Sequence, residues 1–588
     1  MSTRLLARRL CYIFGAMMLA LVLLGLLGQL LTTVQAARQQ ATAGSTYVVN
    51  STADTVDADV GNPACADASG HCTLRAAIMQ ANFATGLDTI TLPSGVYVLT
   101  RPGNDDDATV LGDLDIADDL TIQGAGSSVT IVDGNGAVTY DRVFQVLSSA
   151  KETSLSGLTI RAGKKISNTF DEGGGLYWDG GGSHLRLHDV VFDRNTARYG
   201  GGLYLNYSSV GDTIEMDHVV VHANTATTGA AGGLGVNFGD FAGFDLRSSR
   251  VYSNAAYEGG GIYFQGTPPF GLLSARVETT EIYSNTASLS AGIENHSGDA
   301  AVPVVVVNSH VHNNHADFYG GALGNYGTLV ISNTTLNANS ASISGTNSAS
   351  TRGGGLYNYE GGQVNIIQST LSGNLAASGG GIYSELFIHN NAALTLTNST
   401  LSGNSASRDG GGLYAVGGQI NLYNATIANN HVAVPLGTFY GGMGGGVYIT
   451  GTAIVAAQNT LLADNTHRYQ ILPPEPDDCF ASVTSLRSLG YNLIETPDNC
   501  LISGTTSGNI TGQDPMLGPL QNNGGSTQTQ APLVGSPAID AGQTPFCSTA
   551  TFVPLTIDQR GWHRPVGVSC DIGAAEVGLF EYLPLIQR

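Results

Sequence analysis

One stretch of this chain gathers the residue types that move protons. Arg250, Glu281 and His310 each stand four residues before an asparagine, and His222, Tyr252, Tyr283 and His312 each stand two residues before one. If those asparagines mark equivalent points of a repeat, the two series form adjacent stripes on one outer face, about 10–15 Å across at the spacing of stacked strands. A carboxylate beside histidines supplies a base and an acid, and the arginine a clamp for an anion, which is equipment for cleaving an acidic polysaccharide. The same residues also read as a ladder of paired charges, each pair contributing less than about 1 kcal/mol. That reading is favoured, so Glu281, His310, Arg250, His312 and His222 are candidate catalytic residues with a structural role as the first expectation.

A second stripe suits binding. Tyr177, Tyr204, Tyr263, Tyr357, Tyr383, Tyr414 and Tyr448 each follow an apolar residue after a glycine run. An exposed tyrosine ladder stacks sugar rings, although it can equally stack on itself. Asp105, Asp107, Asp113 and Asp115, within a longer acidic run, offer hard oxygen ligands for Ca²⁺, but without EF-hand spacing a solvated loop is favoured. No HExxH or GxSxG pattern occurs, and the glycine runs lack the lysine and helix of a phosphate loop. No organic cofactor is expected.

The positioning element is a repeat. An apolar residue, two variable ones and an asparagine lead to a glycine run, then an apolar residue and often tyrosine, as in Leu401-Ser402-Gly403-Asn404 and Gly410-Gly411-Gly412-Leu413-Tyr414. The asparagines fall at 195, 224, 254, 285, 314, 339, 374, 404, 430 and 465, a mean period of about 30. The unit lacks helical spacing of apolar residues, and its glycine and asparagine would weaken any helix. Alternation before each asparagine predicts strands with one face inward. Short strands at constant period, joined by glycine-rich turns, describe an all-β, right-handed parallel β-helix. The asparagine is expected to take left-handed backbone geometry and to bond its equivalents above and below. From Asn to the inward apolar residue, Asn339 to Leu356 and Asn430 to Val447 are the longest steps, so Ser340 to Arg352 and His431 to Gly445 read as loops rimming one corner.

Composition agrees. Of 588 residues 79 are glycine and only 12 % are charged, yet 42 % are hydrophobic, which excludes a disordered chain. The 46 acidic against 24 basic residues argue against nucleic acid and against docking on anionic lipid. Residues 1–36 carry Arg4, Arg8 and Arg9 ahead of an uncharged stretch, Leu10 to Leu31, then Val34-Gln35-Ala36. This is an export signal, either cleaved or kept as an anchor, and the only expected contact with membrane. Six further cysteines fall as local pairs, Cys65 with Cys72, Cys479 with Cys500 and Cys547 with Cys570, as disulfides pinning the two ends of an exported chain would.

The ends resemble known modules. Cys72-Thr73-Leu74-Arg75-Ala76-Ala77-Ile78, with Asp54-Thr55, Cys65 and Ala81-Asn82, resembles the CSLREA domain of exported bacterial β-helix proteins over residues 47–100, departing at Thr73 and Ala76. Leu74 to Asn82 is predicted to be a short helix capping the solenoid. Asp514-Pro515, Gly535-Ser536-Pro537-Ala538-Ile539-Asp540, Asp558-Gln559-Arg560-Gly561 and Asp571-Ile572-Gly573-Ala574 with Glu576 resemble the choice-of-anchor Q region, placed at 471–588. The repeats are similar to those of polymorphic outer membrane proteins, which are adhesins. These resemblances imply a β-helix over 88–470, secreted or at the cell surface, tethered or not by residues 10–31. The expected function is non-catalytic: adhesion, binding of a polysaccharide or cell-surface glycan, or envelope structure. A polysaccharide lyase or glycoside hydrolase on the same fold is the alternative.

Overall fold

The computed structural model describes residues 44–578 apart from 104–106, 168–170, 208, 210, 239–241, 267–274, 298–302, 343–349, 360, 386–392, 437–441, 483, 544–546 and 549–552. The segment read as an export signal, including residues 10–31, therefore lies outside the described residues. A representative coil runs Asp212–Asp217, Val220–His222, Thr225–Ala226 and Leu234–Asn237. Each strand pairs in parallel with its equivalent one coil away, so Leu203, Leu234, Ile262 and Ile293 stand in register. The first two strands of every coil build one bent 29-stranded sheet, and the third and fourth build sheets of 12 and 13 strands among the described residues. This is a right-handed parallel β-solenoid.

Periodicity explains the core. The residue three before each ladder asparagine (Val221, Val251, Ile282, Val311) and the one after each glycine run (Leu203, Ile262, Leu356, Leu413) are 0 % exposed. Each such side chain contributes about 1.5–3 kcal/mol by leaving water.

Three kinds of turn close a coil. At the first, a left-handed residue such as Ser248 (φ 49°), Thr279 (φ 49°) or Asn308 (φ 50°) is followed by a buried hydroxyl, as in Ser249, Thr280 and Ser309. The hydroxyl accepts the backbone N–H of the preceding coil, Val219 to Ser249 at 3.0 Å and Thr280 to Ser309 at 3.1 Å. At the second turn the asparagines form the expected ladder, every one at most 1 % exposed. The backbone expectation needs correction: the left-handed residue is the one before the asparagine, for example Ala223 (φ 54°), Ser253 (φ 55°) and Ser284 (φ 53°). That turn leaves the asparagine side chain pointing inward, where its amide bonds the next coil. The third turn is the glycine run. Gly200 takes φ 61°, and a Cβ on Gly201 would stand 2.5 Å from the Thr225 carbonyl of the next coil, so the second glycine is required by close approach.

Parallel pairing begins earlier and ends later than the repeat. Thr46–Val48 pairs with Asp88–Leu92, and beyond the Pro473-Pro474 interruption Leu493–Ile494 still pairs with Ile510–Thr511. At the first coils lies α1 (Leu74–Phe83), capped by Thr73, whose hydroxyl accepts the Ala76 N–H. Arg75, 1 % exposed, ion-pairs with Asp54 at 2.6 Å and donates to the carbonyls of Thr109, Gly112 and Asp113. The three cysteine pairs are joined as disulfides.

After Thr511 the chain folds back along the outside of the bent sheet as a strap. Thr527, Gln528 and Gln559 bond the coil at Gln368 to Thr370, Ile557 and Arg564 bond Asn398, and Ala574 donates to Thr426. Ala538 and Ile572 pack on Leu461, Ala463 and Leu493.

Candidate functional site

The two stripes are real and adjacent. Arg250, Glu281, His310 and Thr335 stand in register along one row, and His222, Tyr252, Tyr283, His312 and Asn337 along the next. The second row is a continuous stack: His222 on Tyr252 at 4.9 Å, Tyr252 on Tyr283 at 4.8 Å, and Tyr283 on His312 at 5.1 Å. His312 Nε2 lies 3.1 Å from Glu281 Oε1, and its ring centroid is 4.1 Å from that of His310. His310 Nε2 meets the Asn337 side-chain oxygen. Arg250 makes no ion pair with Glu281 among the described residues, so the carboxylate belongs to the histidines. Burial pulls the His310 imidazole below its ordinary value, against the bond from Asn337. Burial also lowers His222, and Asp193 opposes it. Ligand atoms of Glu281, His310 and His312 all lie within 4.8 Å of one another.

Beside this cluster the strap and the sheet enclose a cleft of ≈ 740 Å³, lined among others by His310, Asn308, Thr335, Asn337, Asn522 and Gln528. Sequence reasoning places His310 on this outer face but not Asn308, Thr335 or Asn337, and the strap residues arrive from some 200 positions away with no local signal to announce that juxtaposition.

The tyrosine row departs from expectation. Tyr204, Tyr263, Tyr357 and Tyr383 are only 2–7 % exposed, with Tyr177, Tyr414 and Tyr448 half-buried. Their faces are used by one another: Tyr357, Tyr383, Tyr414 and Tyr448 stack at 4.8–5.3 Å, and Arg352 lies over Tyr383. Such rings offer edges rather than open faces to a sugar. Arg352 is held by Glu385 at 2.9 Å, so the end of its long loop tucks onto the ladder, while residues 343–349 of that loop and 437–441 of the other lie outside the described residues.

The acidic run also departs from a solvated loop. Asp105 lies outside the described residues, and Asp107 accepts from Gln145. Asp113 and Asp115 are 0 % and 1 % exposed. Burial, then the neighbouring Asp141 and Asp115, drives the Asp113 carboxyl well above the usual carboxylate range, with Arg142 at 3.5 Å opposing. Asp113 thus pairs with Arg142, and its neighbour Asp141 with Lys165 at 2.7 Å.

Two further sites were missed. His188, Asp217 and His218 form a second potential ligand trio, with Asp217 Oδ2 at 3.3 and 2.8 Å from the two imidazoles. Its signal was the register of His188 with Asp217 one period on. Glu294 occupies the tyrosine position of its coil, beside Tyr263 and Gly324, and is 1 % exposed. Burial raises its pKa from 4.5 to about 8. Because the folded value exceeds the unfolded one, the unfolded chain releases its proton first, and stability from this group is lost as pH rises from about 4.5 to about 8. Glu294→Gln is expected to remove that slope, gaining roughly 3–5 kcal/mol over wild type between pH 5 and pH 8 by urea denaturation. Parallel pH profiles of the two proteins would refute the assignment.

The geometry defines a β-solenoid protein with a polar, histidine-edged cleft under a C-terminal strap. Residues 398–416 match the Chlamydia polymorphic membrane protein repeat. That segment contains Ser399, whose hydroxyl accepts the Ser369 N–H of the preceding coil at 3.2 Å, and the ladder Asn404, Gly410 to Gly412 and Tyr414, whose structural duties are described above. The crystal structure of pectate lyase Pel9A is similar at 14 % identity and a TM-score of 0.30, covering 91 % of this chain and 97 % of that one. No curated protein matches the chain in sequence.

Proposed function

We propose that this is an exported surface protein that binds a glycan without cleaving it, in the cleft between strap and sheet. The observation that carries the reading is the cleft's lining of amides, hydroxyls and an imidazole, groups that exchange hydrogen bonds with sugar hydroxyls. Three disulfides suit an oxidising compartment. The CSLREA-like and choice-of-anchor Q-like ends and the polymorphic membrane protein-like repeats support export and a place at the cell surface.

Binding to immobilised neutral and acidic polysaccharides tests it. Asn522 and Gln528 are exposed strap residues that line the cleft, so N522A/Q528A, with circular dichroism confirming the fold, should weaken binding roughly tenfold, at about 0.5–1.5 kcal/mol per lost hydrogen bond. Binding to none of the panel, or binding indifferent to the double variant, would remove the reading. The second reading, a lyase or hydrolase, draws on the 3.1 Å contact of His312 with Glu281. New reducing ends or unsaturated products that Glu281→Gln abolishes would establish it instead.

A further inference from the structure

We propose that Glu281, His310 and His312 form a binding site for one Zn²⁺ ion at the rim of the cleft. His310 and His312 are alternate residues of the strand His310–His312 and project from the same face, while Glu281 stands in register with His310 one coil earlier. Two imidazoles and a carboxylate are the donor set of zinc rather than of Ca²⁺, which takes oxygen alone. The three ligand atoms lie within 4.8 Å of one another, against about 3.4 Å across a tetrahedral zinc centre with bonds near 2.1 Å. Rotation of these partly buried side chains, Glu281 and His310 above all, closes that difference without moving the strands, which the stacked coils hold fixed.

Outer contacts already orient the ligands. Asn337 accepts from His310 Nε2, which fixes the N–H there and leaves Nδ1 as a lone-pair donor. Asn313 bonds His312 Nδ1 at 3.0 Å on the side away from Glu281, and turning its amide over lets it accept from an Nδ1–H, freeing Nε2 for the metal. On the other side His312 is braced by the Tyr283 ring at an interplanar angle of 3°. Arg250, the nearest basic residue in register, makes no ion pair with Glu281, whose carboxylate faces His312. Because His310 also lines the cleft, the fourth position opens toward it, for water or another oxygen donor. The site stands independently of the glycan reading.

The test is a titration of the tag-free, chelator-stripped full chain with Zn²⁺ by calorimetry and with Co²⁺ by its visible absorption, with no sugar present. One tight equivalent is expected, with Co²⁺ bands of low coordination number. H310A and H312A should each weaken it at least about 100-fold, and N337A about tenfold, circular dichroism confirming the fold in each. H188A/H218A, which dismantles the other histidine trio, should leave the tight equivalent in place. Retention of that equivalent in H310A/H312A, its loss in H188A/H218A instead, or binding only at millimolar metal would overturn the proposal.

Discussion

Asn254→Ala is expected to destabilise the solenoid by about 3–5 kcal/mol, as large an effect as truncating a core leucine. Asn254 is 0 % exposed. Its Oδ1 accepts both the backbone N–H and the side-chain amide of Asn224 at 3.0 Å, and its Nδ2 donates to the Val221 carbonyl at 2.9 Å and to Asn285 at 3.0 Å. Alanine removes an acceptor from two buried donors and a donor from a buried carbonyl, and each orphaned group costs about 1–3 kcal/mol. Asn254→Asp should be no better, because it turns a donor into a second acceptor facing Asn285 Oδ1. The denaturation midpoint checks this, with hydrogen exchange of coils 221–285 showing whether the loss is local, as nearest-neighbour stacking predicts. A change below about 1 kcal/mol would mean that the ladder is carried by the core and adds nothing of its own.

Arg564→Ala should free the strap while the coils stay folded. The guanidinium is 2 % exposed and meets Glu576 at 2.7 Å, Asn398 Oδ1 at 2.9 Å and the Gly573 carbonyl at 2.8 Å, so one side chain ties two parts of the strap to one coil. Its removal leaves the Glu576 carboxylate buried without its partner, a loss of about 3–5 kcal/mol borne by docking of the strap. Exchange protection across residues 520–577 should fall by a factor of about 10²–10³, with protease cleavage appearing there first. Arg564→Lys keeps the charge but not the three-way fork, and should fall between. Unchanged protection in the alanine variant would show that Ala538 and Ile572 suffice to dock the strap.

Local duties were legible and distant ones were not. The ladder asparagines, the inward residues such as Val251 and Leu413, and the glycine corners each recur every coil, so their period betrays them. The hydroxyl ladder recurs too, but Ser249, Thr280 and Ser309 are common residues in a chain rich in Ser and Thr and stand out only once the backbone shows the turn. Tyr383 sits at the outward parity the pattern gives it, yet it is buried by neighbours a coil away and by Arg352 from a long loop. Asp113 is in a run that reads as solvated, and only tertiary contact with Asp141 and Arg142 explains its place inside. The cleft is the extreme case, since Gln528 approaches His310 through the return path of the strap.

That return path also acts as a ruler. Its residues meet Gln368, Asn398, Thr426 and Asn459, one site in each of four successive coils. Strand stacking fixes the rise between coils, so the strap has a fixed length to span and the number of coils beneath it is set. The cleft carries the strap's edge as far as Thr279 and His310, and the coils that carry His222 and Arg250 lie beyond it. Gain or loss of a whole coil ahead of His222 leaves every strap contact and the cleft in phase, which makes that end the part of the rod whose length evolution is free to change.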